Sequence, residues 1–192
     1  MRAHSLCRRY VDEFLDEDGD GFRDTGLLFS GPPGVGKTHL AVAVLVELIQ
    51  TYRVRGFFAD FTALTQELHS TMDPEIRQTR SSLIAPLEAA EVLVIDELAS
   101  QKPSPWSSEI VYNVINQRYA SRKPTLFTTN YRLTEAQALQ SLDRGPDAAQ
   151  VAQLSKRIPA MLESRLFEMA QPVALDAVGD FRRDVRSHQH SG

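Results

Sequence analysis

The chain predicts an α/β fold: an open, mostly parallel five-stranded sheet with helices on both faces. Three observations carry that prediction. Short apolar runs alternate with helix-patterned stretches along nearly the whole chain, the order that builds parallel sheets. Runs such as Val92-Leu93-Val94-Ile95 are continuously apolar rather than alternating, which marks a strand buried on both faces. A complete G-x-x-x-x-G-K-T segment, Gly31-Pro32-Pro33-Gly34-Val35-Gly36-Lys37-Thr38, stands between such a run and a helix-forming stretch. That strand–loop–helix context is the one that holds a phosphate group.

The elements follow in order. Residues 2–15 read as a helix, with Leu6, Tyr10, Phe14 and Leu15 near helical spacing. Asp16-Glu17-Asp18-Gly19-Asp20-Gly21 breaks it. Its D-x-D-x-D-G order opens a calcium loop, but the twelfth position is Leu27 where a bidentate Glu is required. The competing reading is a solvated turn whose glycines supply positive φ. Gly26-Leu27-Leu28-Phe29-Ser30 is the first strand, and residues 38–50 form a helix free of Gly and Pro. Gly56 to Phe61 is the second strand. Thr62 is the expected N-cap of a helix over 63–72, with Gln66 in its first turn. Asp73-Pro74 is a break, 81–90 a further helix, 92–95 the third strand, and 106–121 a long helix. Residues 124–129 form the fourth strand. Residues 133–142 read as a helix capped by Thr134 with Gln137 three residues on. Gly145-Pro146 is a loop, 151–170 is mostly helical with an interruption at Pro159, and Pro172 to Leu175 is a short last strand. The tail over 183–192 has no apolar pattern and is expected to be disordered. The organisation expected is an N-terminal helix and acidic turn over 1–25 and a single core over 26–182.

Composition bounds the function. With 192 residues, 42% hydrophobic and 24% charged, the chain suits one ordinary globular domain. No apolar run approaches the ~18 residues of a membrane span, and the N-terminus lacks an apolar leader, so a cytoplasmic location is expected. Cys7 is the single cysteine, which excludes intrachain disulfides and cysteine zinc sites. The net charge of −4 argues against a bulk basic surface for nucleic acid. DNA contact is then expected to be weak for a monomer.

The phosphate loop has a mechanical reason. Glycines let the backbone curl so that successive N–H groups point at one anion. Lys37 brings a full charge to the outer phosphates, and the Thr38 hydroxyl ligates the magnesium that accompanies them. The strand 92–95 ends in Asp96-Glu97. Two carboxylates at a strand end beside such a loop suit a magnesium partner, Asp96, and a group that orients the attacking water, Glu97. The alternative is a simple helix cap. Thr128-Thr129-Asn130 ends another apolar strand, and Asn130 is placed to bond the water or the γ-phosphate; a plain turn is the alternative. A guanine-selecting Asn-Lys-x-Asp is replaced here by Asn130-Tyr131-Arg132-Leu133, which argues against GTP, and no segment suggests the acceptor pocket and lid of a kinase.

The ordered set of residues 31–41, Ile95-Asp96-Glu97-Leu98, Pro124-Thr125 through Thr129-Asn130-Tyr131, and Ser164-Arg165-Leu166 resembles the DnaC/IstB-like group of AAA+ ATPases. These are bacterial replicative helicase loaders and related transposition helper ATPases, and the resemblance covers roughly residues 10–182. It implies a three-layer P-loop fold of AAA+ type that binds and hydrolyses ATP with magnesium. The implied nucleotide contacts are Gly31, Pro32, Pro33, Gly34, Val35, Gly36, Lys37, Thr38, His39, Asp96 and Arg182, with Thr38 and Asp96 at the metal. Glu97, Asn130 and Arg165 are the implied catalytic groups, Arg165 acting on a neighbouring subunit; its alternative is a helix-surface salt bridge. The implied partners are a replicative helicase or a transposase, with DNA, in an oligomer formed on ATP binding. Residues 62–90 resemble the insertion that initiator-type members use for assembly and DNA contact, which makes Arg77 and Arg80 within it, and Lys102 after Asp96-Glu97, weak DNA-contact candidates; solvated surface charge is the alternative. A transposition helper, or an ATP-dependent module that does not hydrolyse, is the alternative to a loader. Loaders carry a separate N-terminal domain that grips the helicase; here 30 residues precede the loop, so that domain is not expected, and the chain stops soon after the last strand, so a full C-terminal lid is not expected either.

Overall fold

Among the described residues five strands form one sheet: β1 (Gly26–Ser30), β2 (Gly56–Asp60), β3 (Val92–Asp96), β4 (Thr125–Thr129) and β5 (Gln171–Ala174). Their order is β2-β3-β4-β1-β5, and every neighbouring pair is parallel. The predicted parallel α/β sheet is therefore observed. A computed structural model of the chain describes residues 2–15, 19, 21–22, 26–73, 75–100, 104–133 and 154–175. Outside them lie most of the acidic turn, the predicted helix over 133–142 beyond Leu133, Lys102, Arg182 and the tail.

The helices are α1 (Arg2–Asp12), α2 (Lys37–Tyr52), α3 (Phe61–Ser70), α4 (Arg80–Ala89), α5 (Pro105–Ala120) and α6 (Ala160–Met169), with a 3-10 turn at Leu154–Lys156. Strands β1, β3 and β4 are buried at every position, and their residues alternate between two cores. Leu27, Phe29, Val92, Val94 and Leu126 pack with Tyr10 of α1, Phe14 just after it, and Val44 and Leu48 of α2. Leu28, Leu93, Ile95 and Phe127 pack with residues of α3, α4, α5 and α6 such as Leu64, Leu87, Val114 and Leu166. The period-2 alternation of a strand thus divides each continuous apolar run between two helical layers, giving three layers in all. Register is tight where β1 meets β4: a Cβ on Gly26 would lie 2.0 Å from the Thr125 carbonyl oxygen, so only glycine fits there.

Local chemistry sets the helix starts. Helix α4 begins with a capping box between Thr79 and Ser82, and α5 with Ser104 accepting from the Ser107 N–H ahead of Pro105. The expected cap of α3 is corrected. Asp60, the last residue of β2, accepts from the Ala63 N–H at 2.7 Å, so the helix starts at Phe61 rather than Ala63. The Thr62 hydroxyl instead lies 2.8 Å from Ser100 Oγ.

Arg118 is the largest fully buried side chain, at 1% exposure. Its guanidinium donates to the carbonyls of Leu87 (2.8 Å), Ala90 (2.7 Å), Glu91 (3.2 Å) and Pro124 (2.7 Å), and to Thr125 Oγ1 (2.9 Å). One side chain therefore satisfies the Leu87 carbonyl in the last turn of α4 and the two carbonyls just beyond the helix, and ties them to the entry of β4. Burial lowers its pKa to about 10, which leaves it charged at neutral pH. Arg118→Met is expected to destabilise the fold by about 3–5 kcal/mol, because it strands several buried carbonyls at once. Urea unfolding midpoints of the two proteins check this.

Candidate functional site

The carboxyl ends of β1, β3 and β4 lie side by side, because β4 sits between the other two. The chain leaves β1 and runs through α2 to β2 at the far edge, so the loop after β1 stands at a point where the strand order reverses. Such a crevice is where open α/β sheets bind ligands. Residues 31–36 fill it, and α2 starts at Lys37 directly behind them. Gly36 is the N-cap of α2 at φ 91, ψ 18, a left-handed conformation that glycine adopts without cost. The turn aims the first free N–H groups of α2 into the loop, where the helix dipole favours an anion.

Lys37 is 7% exposed, and its ammonium donates to the carbonyls of Gly31 (2.8 Å) and Pro32 (2.7 Å). The lysine thus arches back over the loop and holds its charge against the loop's first two carbonyls. From the next residue, the Thr38 hydroxyl donates to the Asp96 carboxylate, 2.9 Å from Oδ1 and 3.2 Å from Oδ2. The two segments that the sequence marks 58 positions apart meet through this bond. Asp96 is 6% exposed and also accepts the Thr128 hydroxyl at 2.6 Å. A buried carboxylate needs such donors to remain in place.

The turn after Asp96 is unusual. Glu97 (φ 55) and Ala99 (φ 64) both adopt the left-handed conformation without being glycine, at a cost of roughly 1–2 kcal/mol each. The surroundings hold them there. The Glu97 N–H donates to Thr128 Oγ1 at 2.9 Å, the Leu98 N–H to the Thr128 carbonyl at 2.8 Å, and the Thr129 hydroxyl to the Leu98 carbonyl at 3.0 Å. The Glu97 side chain emerges exposed beside buried Asp96. Adjacent carboxylates so placed suit separate roles, one beside a cation and one facing water.

The predicted residues fall into three groups. Lys37, Thr38 and Asp96 converge with the loop, and Glu97 directly follows Asp96 on an exposed turn. Asn130 is half-buried at the same carboxyl edge, directly after β4. Arg165 stands apart on α6, whose apolar side packs in the core on the opposite face of the sheet from α2. Its guanidinium lies 4.0 Å above the Tyr119 ring and donates to Glu168 at 2.7 Å, and its side chain is 26% exposed. Thr128 and Thr129 carry roles that sequence reasoning missed; the signal was a pair of buried hydroxyls closing an otherwise apolar strand.

The oxygen donors of Thr38 and Asp96 fit a small hard cation such as magnesium. That ion takes one or two protein oxygens, keeps several waters and completes its shell with phosphate oxygens. Among the described residues no cluster of three or more His, Cys, Asp or Glu would hold a metal on its own, so a cation here fits as one half of a nucleotide complex.

Residues 22–145 match the family described as IstB-like ATP binding protein. The chain belongs to this family. The match spans the phosphate loop, Asp96-Glu97 and Asn130 of this IstB-like protein. The replicative helicase loader DnaC of Escherichia coli K12 is 33% identical over 138 residues, covering 70% of this chain and 52% of that protein. A protein of insertion sequence IS5376 from Geobacillus stearothermophilus, named for ATP binding, is 31% identical over 108 residues, covering 56% of this chain and 41% of that protein. The chain thus spans about half the length of the curated relatives it matches. A crystal structure of the DnaC helicase loader superposes with a TM-score of 0.69 at 33% identity, covering 90% of this chain and 88% of that one. The three-layer P-loop architecture of AAA+ type is therefore that of the family. No helix among the described residues is long and apolar enough to cross a membrane.

Proposed function

We propose that this IstB-like protein hydrolyses magnesium-ATP and uses the cycle to load a replicative helicase onto DNA. The observation that carries the chemistry is the Thr38–Asp96 hydrogen bond, which brings the two halves of the nucleotide site together. Loop residues 31–36 and His39 cradle the triphosphate, and Lys37 turns from the loop carbonyls to its outer oxygens. Magnesium, when bound, draws charge from the β- and γ-phosphates. Asp96 and Thr38 hold its position. Glu97, exposed on its left-handed turn, takes up the attacking water and accepts its proton, while Asn130 bonds the water or the γ-phosphate. Arg182 joins the nucleotide contacts.

Arg165 acts on a second copy. Its place on α6, half-buried and braced by Tyr119 and Glu168, supports a role in an oligomer that forms on ATP, where a guanidinium offsets charge on the transferred phosphoryl group. The likeness to DnaC favours a helicase as the partner. A transposase partner is the second reading, favoured by the insertion-sequence relative.

The test is a pull-down with immobilised protein, purified replicative helicase and purified transposase, each with ATP and with ADP. ATP-dependent capture of the helicase alone is expected. Capture of the transposase alone replaces the loader reading with the helper one. Capture of neither, with no ATP turnover in the presence of DNA, contradicts both.

A further inference from the structure

The segment that leads into α6 reaches back across the molecule to the turn that carries Glu97. Arg157 follows the 3-10 turn Leu154–Lys156, and its own N–H donates to the Leu154 carbonyl at 2.8 Å. Its guanidinium extends to Ala99 and Ser100. Nε and Nη2 lie 3.4 and 3.3 Å from the Ala99 carbonyl oxygen, and Nη2 donates to the Ser100 carbonyl at 3.0 Å. The same group sits 4.9 Å over the ring of Tyr131, whose hydroxyl lies 3.4 Å from the Ser100 carbonyl oxygen. Tyr131 directly follows Asn130. The Thr62–Ser100 contact at 2.8 Å closes the far side of the turn.

We infer that Arg157 is a positioning residue, a latch that fixes the left-handed turn at Glu97–Ser100 and so aims the Glu97 carboxylate for hydrolysis. The argument is geometric. Ala99, at φ 64, and Glu97, at φ 55, persist only where neighbours over-determine them. Strand β4 holds the front of the turn through Thr128 and Thr129. The back is held at Ser100 by Thr62 and Tyr131, and at both Ala99 and Ser100 by one planar fork on two successive carbonyls, a contact that lysine's single ammonium reproduces poorly. The latch also joins three parts of the site: the turn bearing Glu97, the strand end bearing Asn130, and the segment running on into α6 with Arg165. A displacement of α6 when Arg165 meets a neighbouring subunit would therefore be felt at Glu97 of its own chain.

This inference rests on the hydrolysing reading only for its catalytic consequence, so its test reads the turn directly as well. Arg157→Gln is expected to speed amide hydrogen exchange at Glu97 and Leu98 by about tenfold, with exchange in α2 unchanged. In steady-state turnover the same variant is expected to lose roughly ten- to a hundredfold in kcat, with KM for ATP within about twofold of wild type. Arg157→Lys falls between the two, and it supplies both readouts if the glutamine variant does not fold. Exchange at Glu97 and Leu98 equal to wild type overturns the latch whatever the turnover. Faster exchange throughout the sheet with a raised KM also overturns it, because that pattern marks a general fold defect. Absence of turnover in the wild type, with the local exchange effect present, counts against hydrolysis and leaves the latch standing.

Discussion

Lys37→Ala is expected to abolish nucleotide binding at concentrations where the wild type is saturated. The side chain is 7% exposed and holds its charge against the loop carbonyls of Gly31 and Pro32, so its removal has two consequences. The proposed charge-assisted bonds to phosphate disappear, at about 1.5–3 kcal/mol each. The loop also loses the brace that keeps its amides convergent. Removing two such bonds raises Kd by roughly two to four orders of magnitude. Lys37→Arg is not a rescue, since a planar fork cannot turn inside a loop shaped around one ammonium. Fluorescent-nucleotide titration of the variants, with circular dichroism to show that the sheet is intact, checks the result. Binding of the alanine variant within about threefold of wild type, less than 1 kcal/mol, would remove the loop from the account.

Glu97→Gln separates binding from chemistry. The substitution keeps size and backbone preference, so the left-handed turn and its bonds to Thr128 remain. It deletes only the charge proposed to accept a proton from water. Hydrolysis is expected to fall by about 10²–10⁴-fold, with ATP affinity within a few-fold of wild type. Because the carboxylate is exposed and lies outside the Thr38–Asp96 pair, magnesium binding is untouched. Single-turnover measurement with labelled ATP reads this directly. Equal rates in the two proteins would reassign the base; a parallel loss of affinity would place Glu97 at the metal.

Much of the central sheet was legible because doubly buried strands leave an unambiguous mark. β3 is apolar at four of its five positions, β1 carries Leu27-Leu28-Phe29 and β4 carries Leu126-Phe127, and β3 and β4 close on polar residues of the candidate site. The phosphate loop was legible for the same reason, since its spacing has few other uses. Strand order was not, because pairing between β1 and β4 is set by packing over about a hundred residues of chain. The cap of α3 was misplaced because Asp60 serves twice, ending a strand and starting a helix, and periodicity favours the later candidate. Arg118 and Arg157 were illegible for a different reason. Arginines on or near amphipathic helices read as solvated surface, and their partners here are main-chain carbonyls, which look alike at every position of a sequence. Arg165 was singled out only through the resemblance; the fold adds that it lies on the face of the sheet opposite α2.

The account's central claim is that one magnesium-bound triphosphate is gripped between residues 31–38 and Asp96. Calorimetric titration of ATP with and without magnesium, into wild type and Asp96→Asn, tests it most directly. The account predicts a single saturable site in the wild type, tighter with magnesium, and loss of that magnesium dependence in the variant. A wild type that binds ATP equally well with and without magnesium, or a variant that keeps the full magnesium effect, would contradict it.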